Sequence, residues 1–311
     1  MQRLLRNFAV FVAVFWSLGA VSSLQAQGTV PVTVVVTALG PKYTPPPALS
    51  QDDINVFESK EKRTVTGFVP AQGDKAALQL AIVIDDVTSL EIGNQLSDIK
   101  NFINAQAKST SIGVFYASNG GVQATSPFSQ DHEAAAKGIR LPFGNGGAYS
   151  SIYLSTMSLM KGWPAPGPYT RREILLIADG IDRFRGDPFS PDIQSTYERA
   201  EKEGIIIHTL YATGVGRVSR NSFRVSYGQS NLDQLTERTG GESFFQGLQT
   251  PISFAPFLEQ LDMILKNQYF LGFKMDPPKG KGQLRSFKIK TELKNVDISA
   301  ADQVWVAGAP K

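Results

Sequence analysis

The sequence predicts an α/β protein in which a central, mostly parallel sheet carries helices on both faces. Nearly continuous apolar runs, as at residues 78–84 and 173–178, are typical of parallel strands that are buried on both faces. Helical patterns separate these runs, and alternation of strand and helix indicates βαβ units. Strand patterns without helices occupy both ends, at residues 27–75 and 268–311. We therefore expect one α/β unit, residues 76–267, between two β segments.

The first 26 residues have the composition of a secretory signal peptide. Arg3 and Arg6 form a charged start, an apolar run follows at residues 8–21, and Ala26 is a small residue at the expected cleavage point. The apolar run is too short to span a bilayer core about 30 Å thick comfortably. We predict a signal peptide at residues 1–26 and an exported chain, periplasmic or secreted, without a transmembrane segment in its mature form. An N-terminal anchor that is not cleaved is the alternative.

The two terminal segments show the two-residue alternation of β-strands. In residues 27–75 the alternation begins at Val30, and in residues 268–311 it is clearest around Ile289. Neither segment has enough strands for a stable core of its own. We predict that they pair into one small, discontinuous, β-sandwich-like domain, with the α/β unit of residues 76–267 inserted between them.

Capping patterns and apolar spacing place the elements of the α/β unit. Residues 88–91 have the spacing of a capping box and begin a helix whose apolar positions recur every three or four residues. The other expected elements are strands at residues 111–118, 120–124, 205–211 and 243–245, and helices at residues 131–139, 150–161, 190–203, 231–239 and 254–266.

Residues 213–230 are predicted to be a long irregular connection. The stretch contains Arg217, Arg220 and Arg224 together with Phe223 and Tyr227. Arginine and tyrosine are favoured anchors at protein interfaces, so the stretch could be an interaction loop. A solvated insertion with mobile charges is an equal alternative.

The composition excludes several classes of site. There is no cysteine, and His132 and His208 are the only histidines, which removes disulfide scaffolds, thiolate metal sites and multi-histidine sites. His208 lies inside an apolar strand and is expected to be a packed core residue. The net charge of +3, from 31 basic and 28 acidic residues, gives no bias toward nucleic acid.

Acidic residues follow two of the predicted parallel strands. Asp85 and Asp86 end the first strand, and Asp179 with Asp182 follows a central one. Ligands of open parallel sheets bind beyond the carboxyl ends of the strands. Carboxylate and hydroxyl oxygens suit Mg²⁺ or Ca²⁺, so a cation site is one interpretation. The alternative is that these residues only form turns and cap helices.

Several of these stretches, in this order, resemble a von Willebrand factor type A (vWA) domain. Residues 82–89, Ile-Val-Ile-Asp-Asp-Val-Thr-Ser, are similar to its opening strand and first metal loop. Gly146-Gly147-Ala148 is similar to its second loop, and residues 174–182 to the strand and loop that carry its last acidic residue. The flanks resemble bacterial exported vWA-related proteins, such as those of Acidobacteria. The resemblance covers nearly all of the mature chain and implies a Rossmann-like vWA fold.

The resemblance implies a non-enzymatic protein-binding module with a divalent cation, Mg²⁺ or Ca²⁺, at a metal-ion-dependent adhesion site. Matched position by position, Asp85, Ser89 and Asp179 agree with the family's ligands. Val87 and Ala148 stand where the family has hydroxyl ligands, and neither can coordinate a cation. The site is therefore degenerate, and the residues that offer substitute oxygens are Asp86, Thr88, Ser150 and Asp182.

No enzymatic motif competes with this interpretation. Val87 stands where a haloacid-dehalogenase-like phosphatase needs its second carboxylate, and no serine has a Gly-x-Ser-x-Gly setting. The glycine-rich residues 144–147 lack the lysine and hydroxyl of a P-loop. We expect a protein partner of unidentified nature and no nucleic acid. The competing hypothesis is a structural or assembly component of the cell envelope with a vestigial metal site.

Overall fold

The structure is a computed structural model that describes residues 28–186, 191–244 and 247–308. The predicted signal peptide, residues 1–26, lies outside the described residues. None of the helices in the described ranges is both long and apolar enough to cross a bilayer.

Strands and helices follow one another in nearly the predicted order. The strands of the described ranges are β1 Val30–Leu39, β2 Asn55–Glu58, β3 Glu61–Arg63, β4 Val65–Pro70, β5 Leu78–Asp85, β6 Thr110–Ser118, β7 Gly121–Ser129, β8 Arg171–Ala178, β9 Ile205–Tyr211, β10 Ser243–Phe244, β11 Gln268–Met275, β12 Gln283–Ser286, β13 Lys288–Lys290, β14 Asp297–Ala300 and β15 Gln303–Val306. The α-helices are α1 Leu96–Ala105, α2 His132–Lys137, α3 Ile152–Lys161, α4 Pro191–Glu203, α5 Ser222–Thr239 and α6 Ala255–Lys266.

Six strands form the central sheet in the order β10-β9-β8-β5-β6-β7. All neighbouring pairs are parallel except β6 and β7, which form an antiparallel hairpin at one edge. The predicted fold class, a mostly parallel sheet in an α/β unit, is confirmed. The second strand of this hairpin, β7, is longer than the five residues that the sequence pattern indicated.

Apolar side chains cover both faces of this sheet, which explains why its strands are continuous apolar runs. On one face, Ile82 and Ile84 pack with residues of α1 and α6, such as Ile99 and Leu261. On the other face, alternate residues of the same strand pack with α3, α4 and α5. The sheet is thus a rigid platform between two apolar layers, and the loops at its ends are held by buried strands.

The N-terminal and C-terminal strands pair with each other. β1 lies between β11 and β14 in an antiparallel sheet, and β4 continues the sheet beyond β11. β2 likewise pairs with β13. These strands share a separate apolar core that includes Val36, Leu271 and Phe287. The predicted association of the two chain ends is therefore present in the structure.

The prediction that residues 213–230 are irregular is wrong for the second half of the stretch. Helix α5 begins at Ser222, nine residues earlier than the expected 231, and Asn221 Oδ1 caps it by accepting a hydrogen bond from the backbone N–H of Arg224 at 3.1 Å. Val225 and Leu232 are buried on its inner face. The sequence does not show the helical pattern at the start of α5, because the first turns of this helix are mostly polar and contain Gly228, and glycine disfavours helices.

Gly228 is required by a close contact with the loop after β8. A Cβ atom at this position would collide with the backbone carbonyl of Asp179, and one at Gly180 would collide with the backbone of Gly228. Gly180 also has φ +71°, a conformation that favours glycine. The two glycines let α5 lie directly against the edge of the sheet that carries Asp179.

The shared core of the chain ends makes a testable contribution to stability. Leu271 is fully buried in β11, so Leu271→Ala is expected to lower the free energy of unfolding by about 2–5 kcal/mol. Leu90 is 57% exposed, so Leu90→Ala provides a matched control that changes stability by less than about 0.5 kcal/mol. Urea unfolding of both variants measures the difference, and equal midpoints would contradict the proposed core.

Candidate functional site

Asp85 and Asp179 end two neighbouring parallel strands and lie at the same edge of the sheet. Ile84 of β5 pairs with Ile177 of β8, so Asp85 follows its paired residue directly and Asp179 follows two residues after its own. Both residues are buried, with 4% and 1% of their surface exposed. Burial, followed by the charge of Asp179, raises the pKa of Asp85 to about 7, although Arg183 opposes this shift. The two carboxylates therefore share one electrostatic environment, as their positions in the sequence predict.

The guanidinium of Arg183 lies directly on the carboxylate of Asp179. Nη1 donates to Oδ1 at 3.0 Å and Nη2 to Oδ2 at 2.5 Å, and Nη2 also donates to Ser219 Oγ at 2.7 Å. Burial alone would lower the pKa of Arg183, but its hydrogen bonds to Asp179 and the charges of Asp179 and Asp85 raise it overall. Arg183 is thus held in its charged form at this edge.

The sequence interpretation did not include Arg183 or Ser219. The spacing of Asp179 and Arg183, four residues apart just after a buried strand, is a weak signal for an ion pair. Ser219 comes from a turn before α5, far away in sequence, and no local pattern connects it with Asp179. Only the packing of α5 against the loop after β8 brings the three side chains together.

Asp86 belongs to a second, separate ion pair. Its carboxylate accepts two hydrogen bonds from the Arg140 guanidinium, at 2.8 and 3.0 Å, and one from the backbone N–H of Phe143 at 3.1 Å. The guanidinium also lies between two rings, 3.6 Å from the centroid of Tyr116 and 3.9 Å from that of Phe143. Asp86 therefore fixes the loop after α2, and its oxygens are occupied.

The other predicted oxygen donors belong to the loops around this edge of the sheet. Ser89 Oγ caps the 3₁₀ turn Leu90–Gln95 by accepting from the N–H of Glu91, and Thr88 Oγ1 is buried without a hydrogen-bond partner among the described residues. The Ser150 carbonyl accepts from the backbone N–H of Arg183 at 3.1 Å. Asp182 Oδ1 accepts from two backbone N–H groups in the turn that follows β8, while its Oδ2 lacks a partner in the described ranges.

These residues fit an internal guanidinium and do not fit a divalent cation. Both oxygens of Asp179 already bind Arg183, and Oδ1 also accepts from the N–H of Ile181 at 3.0 Å. Val87 is buried where a coordinating hydroxyl was expected, and Ala148 is exposed. Among the described residues, no group of three or more Asp, Glu or His side chains is arranged to hold a metal ion. A cation would have to displace Arg183 to reach Asp179.

Large apolar side chains are exposed around this edge of the sheet. Tyr149 and Phe184 contact each other, with ring centroids 5.1 Å apart, above the loops that follow β6 and β8. In the described ranges, every large exposed apolar side chain except Tyr169 lies on a loop or helix start at the carboxyl edge. We call this surface the apolar rim; it consists of Leu90, Leu141, Phe143, Tyr149, Phe184, Phe223, Leu248 and Ile252.

Comparisons with known proteins find similarity to solved structures only. No protein-family model and no curated protein matches the chain. A von Willebrand factor type A structure from Catenulispora acidiphila is 9% identical with a TM-score of 0.45, over 92% of this chain and 76% of that one. An aerotolerance-related membrane protein from Bacteroides fragilis is 12% identical with a TM-score of 0.41, over 61% and 98%. Proximal thread matrix protein 1 from the mussel byssus, with a zinc-occupied MIDAS motif, is 13% identical with a TM-score of 0.43, over 62% and 46%.

The six-stranded, mostly parallel sheet, the helices on both of its faces and the additional antiparallel sheets agree with the fold that the sequence resemblance implied. At such low identities and TM-scores, what the site does has to be inferred from the side chains of this chain.

The pKa of Asp85 predicts how stability depends on pH. Because the folded pKa is about 7 and the ordinary value is 3.8, folding becomes less favourable as pH rises between these values and levels off above about 7. Asp85→Asn is expected to flatten this dependence and to be more stable than the native chain above pH 7, by up to roughly 4 kcal/mol. Asp52→Asn, at an exposed position, is the control. Urea unfolding between pH 4 and 8 measures the effect, and parallel curves for Asp85→Asn and the native chain would contradict it.

The close packing around Gly214 predicts that a larger residue at this position lowers the stability of the protein. A Cβ atom at this position would collide with Asp179 Oδ2, Arg183 Nη2 and Ser219 Oγ. Gly214→Ala is therefore expected to lower the free energy of unfolding by about 1–3 kcal/mol. Gly67→Ala is the matched control, because a Cβ there meets no atom within 4 Å. Thermal unfolding compares the two, and an unchanged midpoint for Gly214→Ala would show that the ion pair is not packed against this glycine.

Proposed function

We propose that this chain is an exported, non-enzymatic protein-binding module of the vWA-type fold, which binds another polypeptide through the apolar rim. The observation that carries the proposal is the distribution of exposed apolar side chains. In the described part of the chain, all of the large ones except Tyr169 lie at the carboxyl edge of the central sheet. Clusters of exposed apolar and aromatic side chains mark interaction surfaces in soluble proteins.

The rim is held in place from below. Phe143 packs on the Arg140 guanidinium, which the buried carboxylate of Asp86 holds with two hydrogen bonds. The backbone N–H of Tyr149 donates to Asn119 Oδ1 at 3.1 Å, at the end of β6. Side chains that are fixed before binding lose less conformational entropy when a partner arrives. The rim is therefore suited to form a specific interface.

The competing hypothesis places binding in the paired terminal strands, as in an assembly component of the cell envelope. In the described ranges, no large exposed apolar side chain lies on a strand of these sheets. Some of their charged groups are paired with one another, as in the contacts of Arg63 with Glu58 and Asp276. The distribution of apolar surface therefore favours the rim.

A non-enzymatic role agrees with the chemistry at the sheet edge. Asp179 is engaged by Arg183 and Asp86 by Arg140, so neither carboxylate is available as a general acid or base. His208 is fully buried in the sheet, where its Nε2 lies 2.8 Å from Glu173 Oε2. Export is the other part of the proposal, and it rests on the signal-peptide pattern of residues 1–26. The partner would then be a periplasmic or extracellular protein.

Affinity capture tests the rim. The mature chain, the double variant Phe143→Ser/Phe184→Ser and the control Tyr169→Ser are immobilised and exposed to an envelope extract, with and without chelator. We expect a protein that is retained by the native chain and by Tyr169→Ser but lost by the rim variant. The binding constant of that protein, once purified, should weaken about tenfold or more in the rim variant, because removing an interface anchor costs over ~1 kcal/mol. If the rim variant binds this partner with undiminished affinity, the interface lies on another surface of the protein.

A further inference from the structure

We infer that the guanidinium of Arg183 is a built-in replacement for a divalent cation, so that the vWA-type site of this chain works without metal. The inference concerns the site at the ends of β5 and β8, and it holds whether or not the apolar rim binds a partner. It goes beyond the proposed function, because it states which charged group neutralises the buried carboxylates at the ends of β5 and β8.

The first observation is that Arg183 is fully engaged. Nη1 donates to Asp179 Oδ1 and, at 3.2 Å, to the carbonyl of Ile181, while Nη2 donates to Asp179 Oδ2 and to Ser219 Oγ. Its side chain is only 15% exposed. A planar guanidinium suits this two-point contact with a carboxylate, whereas an ammonium group does not. Arg183 therefore occupies the face of Asp179 that a bound cation would need.

The second observation is that the space around the pair is filled. Gly214 approaches Asp179, Arg183 and Ser219 so closely that a single additional Cβ atom would collide with all three. The Ser219 hydroxyl lies 3.1 Å from Asp179 Oδ2 and adds a further contact to the carboxylate. A hydrated divalent ion, which needs six or more oxygens around it, has no room beside Asp179 while Arg183 is present.

The third observation concerns charge. Asp85 and Asp179 both interact electrostatically with Arg183. The guanidinium therefore partly neutralises the two buried carboxylates, as a bound cation would. Removing one partner of a buried ion pair leaves the other charge uncompensated. If Arg183 were shortened, the oxygens of Asp85, Asp179 and Ser219 would be left beside the space that the guanidinium occupies. These oxygens are the donor type that divalent cations prefer.

Cation titrations of the full mature chain and of four variants, Arg183→Ala, Arg183→Lys, Arg185→Ala and Asp179→Asn, test this inference. Mg²⁺, Mn²⁺ and Ca²⁺ are each titrated into the protein by calorimetry, and thermal unfolding is recorded with each cation and with chelator. For the native chain we expect no saturable heat and the same unfolding temperature in all conditions. For Arg183→Ala we expect a lower unfolding temperature, a saturable heat with at least one cation, and partial recovery of the unfolding temperature when that cation is added.

Arg183→Lys and Arg185→Ala separate the effects of charge and geometry from general effects. Arg183→Lys keeps the positive charge but not the two-point contact, so it should lower the unfolding temperature without creating a cation site. Arg185→Ala removes a neighbouring arginine that pairs with Asp192, so it should show no response to cations. If Arg183→Ala does not fold, the native chain and Arg183→Lys still decide the outcome.

Two results would overturn the inference. One is a saturable heat in the native chain that disappears in Asp179→Asn, because a cation would then displace Arg183 from its place. The other is a folded Arg183→Ala variant that binds none of the three cations, because Arg183 would then not occupy a cation position. Neither result depends on a partner, so failure here can be distinguished from failure of the rim hypothesis.

Discussion

Two buried carboxylates at adjacent strand ends are the constraint on which the carboxyl edge depends. Parallel pairing of β5 and β8 brings Asp85 and Asp179 to one place, where little water reaches them. A buried charge needs a compensating charge and hydrogen bonds. The Arg183 guanidinium supplies a compensating charge to both carboxylates and hydrogen bonds to Asp179, and the surrounding chain leaves room for it. Gly214 leaves space for the pair, and close packing at Gly228 holds α5 against the loop after β8.

Two arginine–aspartate pairs lie at the carboxyl edge of the sheet, and each has a different role. Arg183 compensates the negative charge of Asp85 and Asp179 and lies on the carboxylate of Asp179. Arg140 pairs with Asp86 and carries Phe143 on its outer face, so a buried charge positions an exposed aromatic side chain. The central carboxylates are thus engaged by internal contacts, while the side chains of the apolar rim are exposed. Recognition at this surface is expected to depend on shape and apolar contact rather than on coordination chemistry.

The remainder of the molecule keeps this edge rigid. β1 and β11, from opposite ends of the chain, form neighbouring strands, so the chain ends are joined by their own core. Within the central sheet, the His208 ring accepts a hydrogen bond at Nδ1 from the backbone N–H of Glu242 and lies against Glu173 through Nε2. This buried polar contact ties β8 to β9 and to the turn that precedes β10. The strands that carry the site are therefore fixed along their length.

Local sequence determined the strands, most of the helices and the acidic strand ends, because apolar periodicity and capping depend on neighbouring residues. The runs at residues 78–84 and 173–178 predicted buried parallel strands, and Asp85 and Asp179 followed from them. The start of α5 was missed, because Gly228 serves a distant contact at the expense of helix propensity. Only the tertiary structure decided that Arg183 and Ser219 bind the carboxylate of Asp179. Those contacts join residues that are remote in sequence, and the packing of α5 on the sheet edge brings them together.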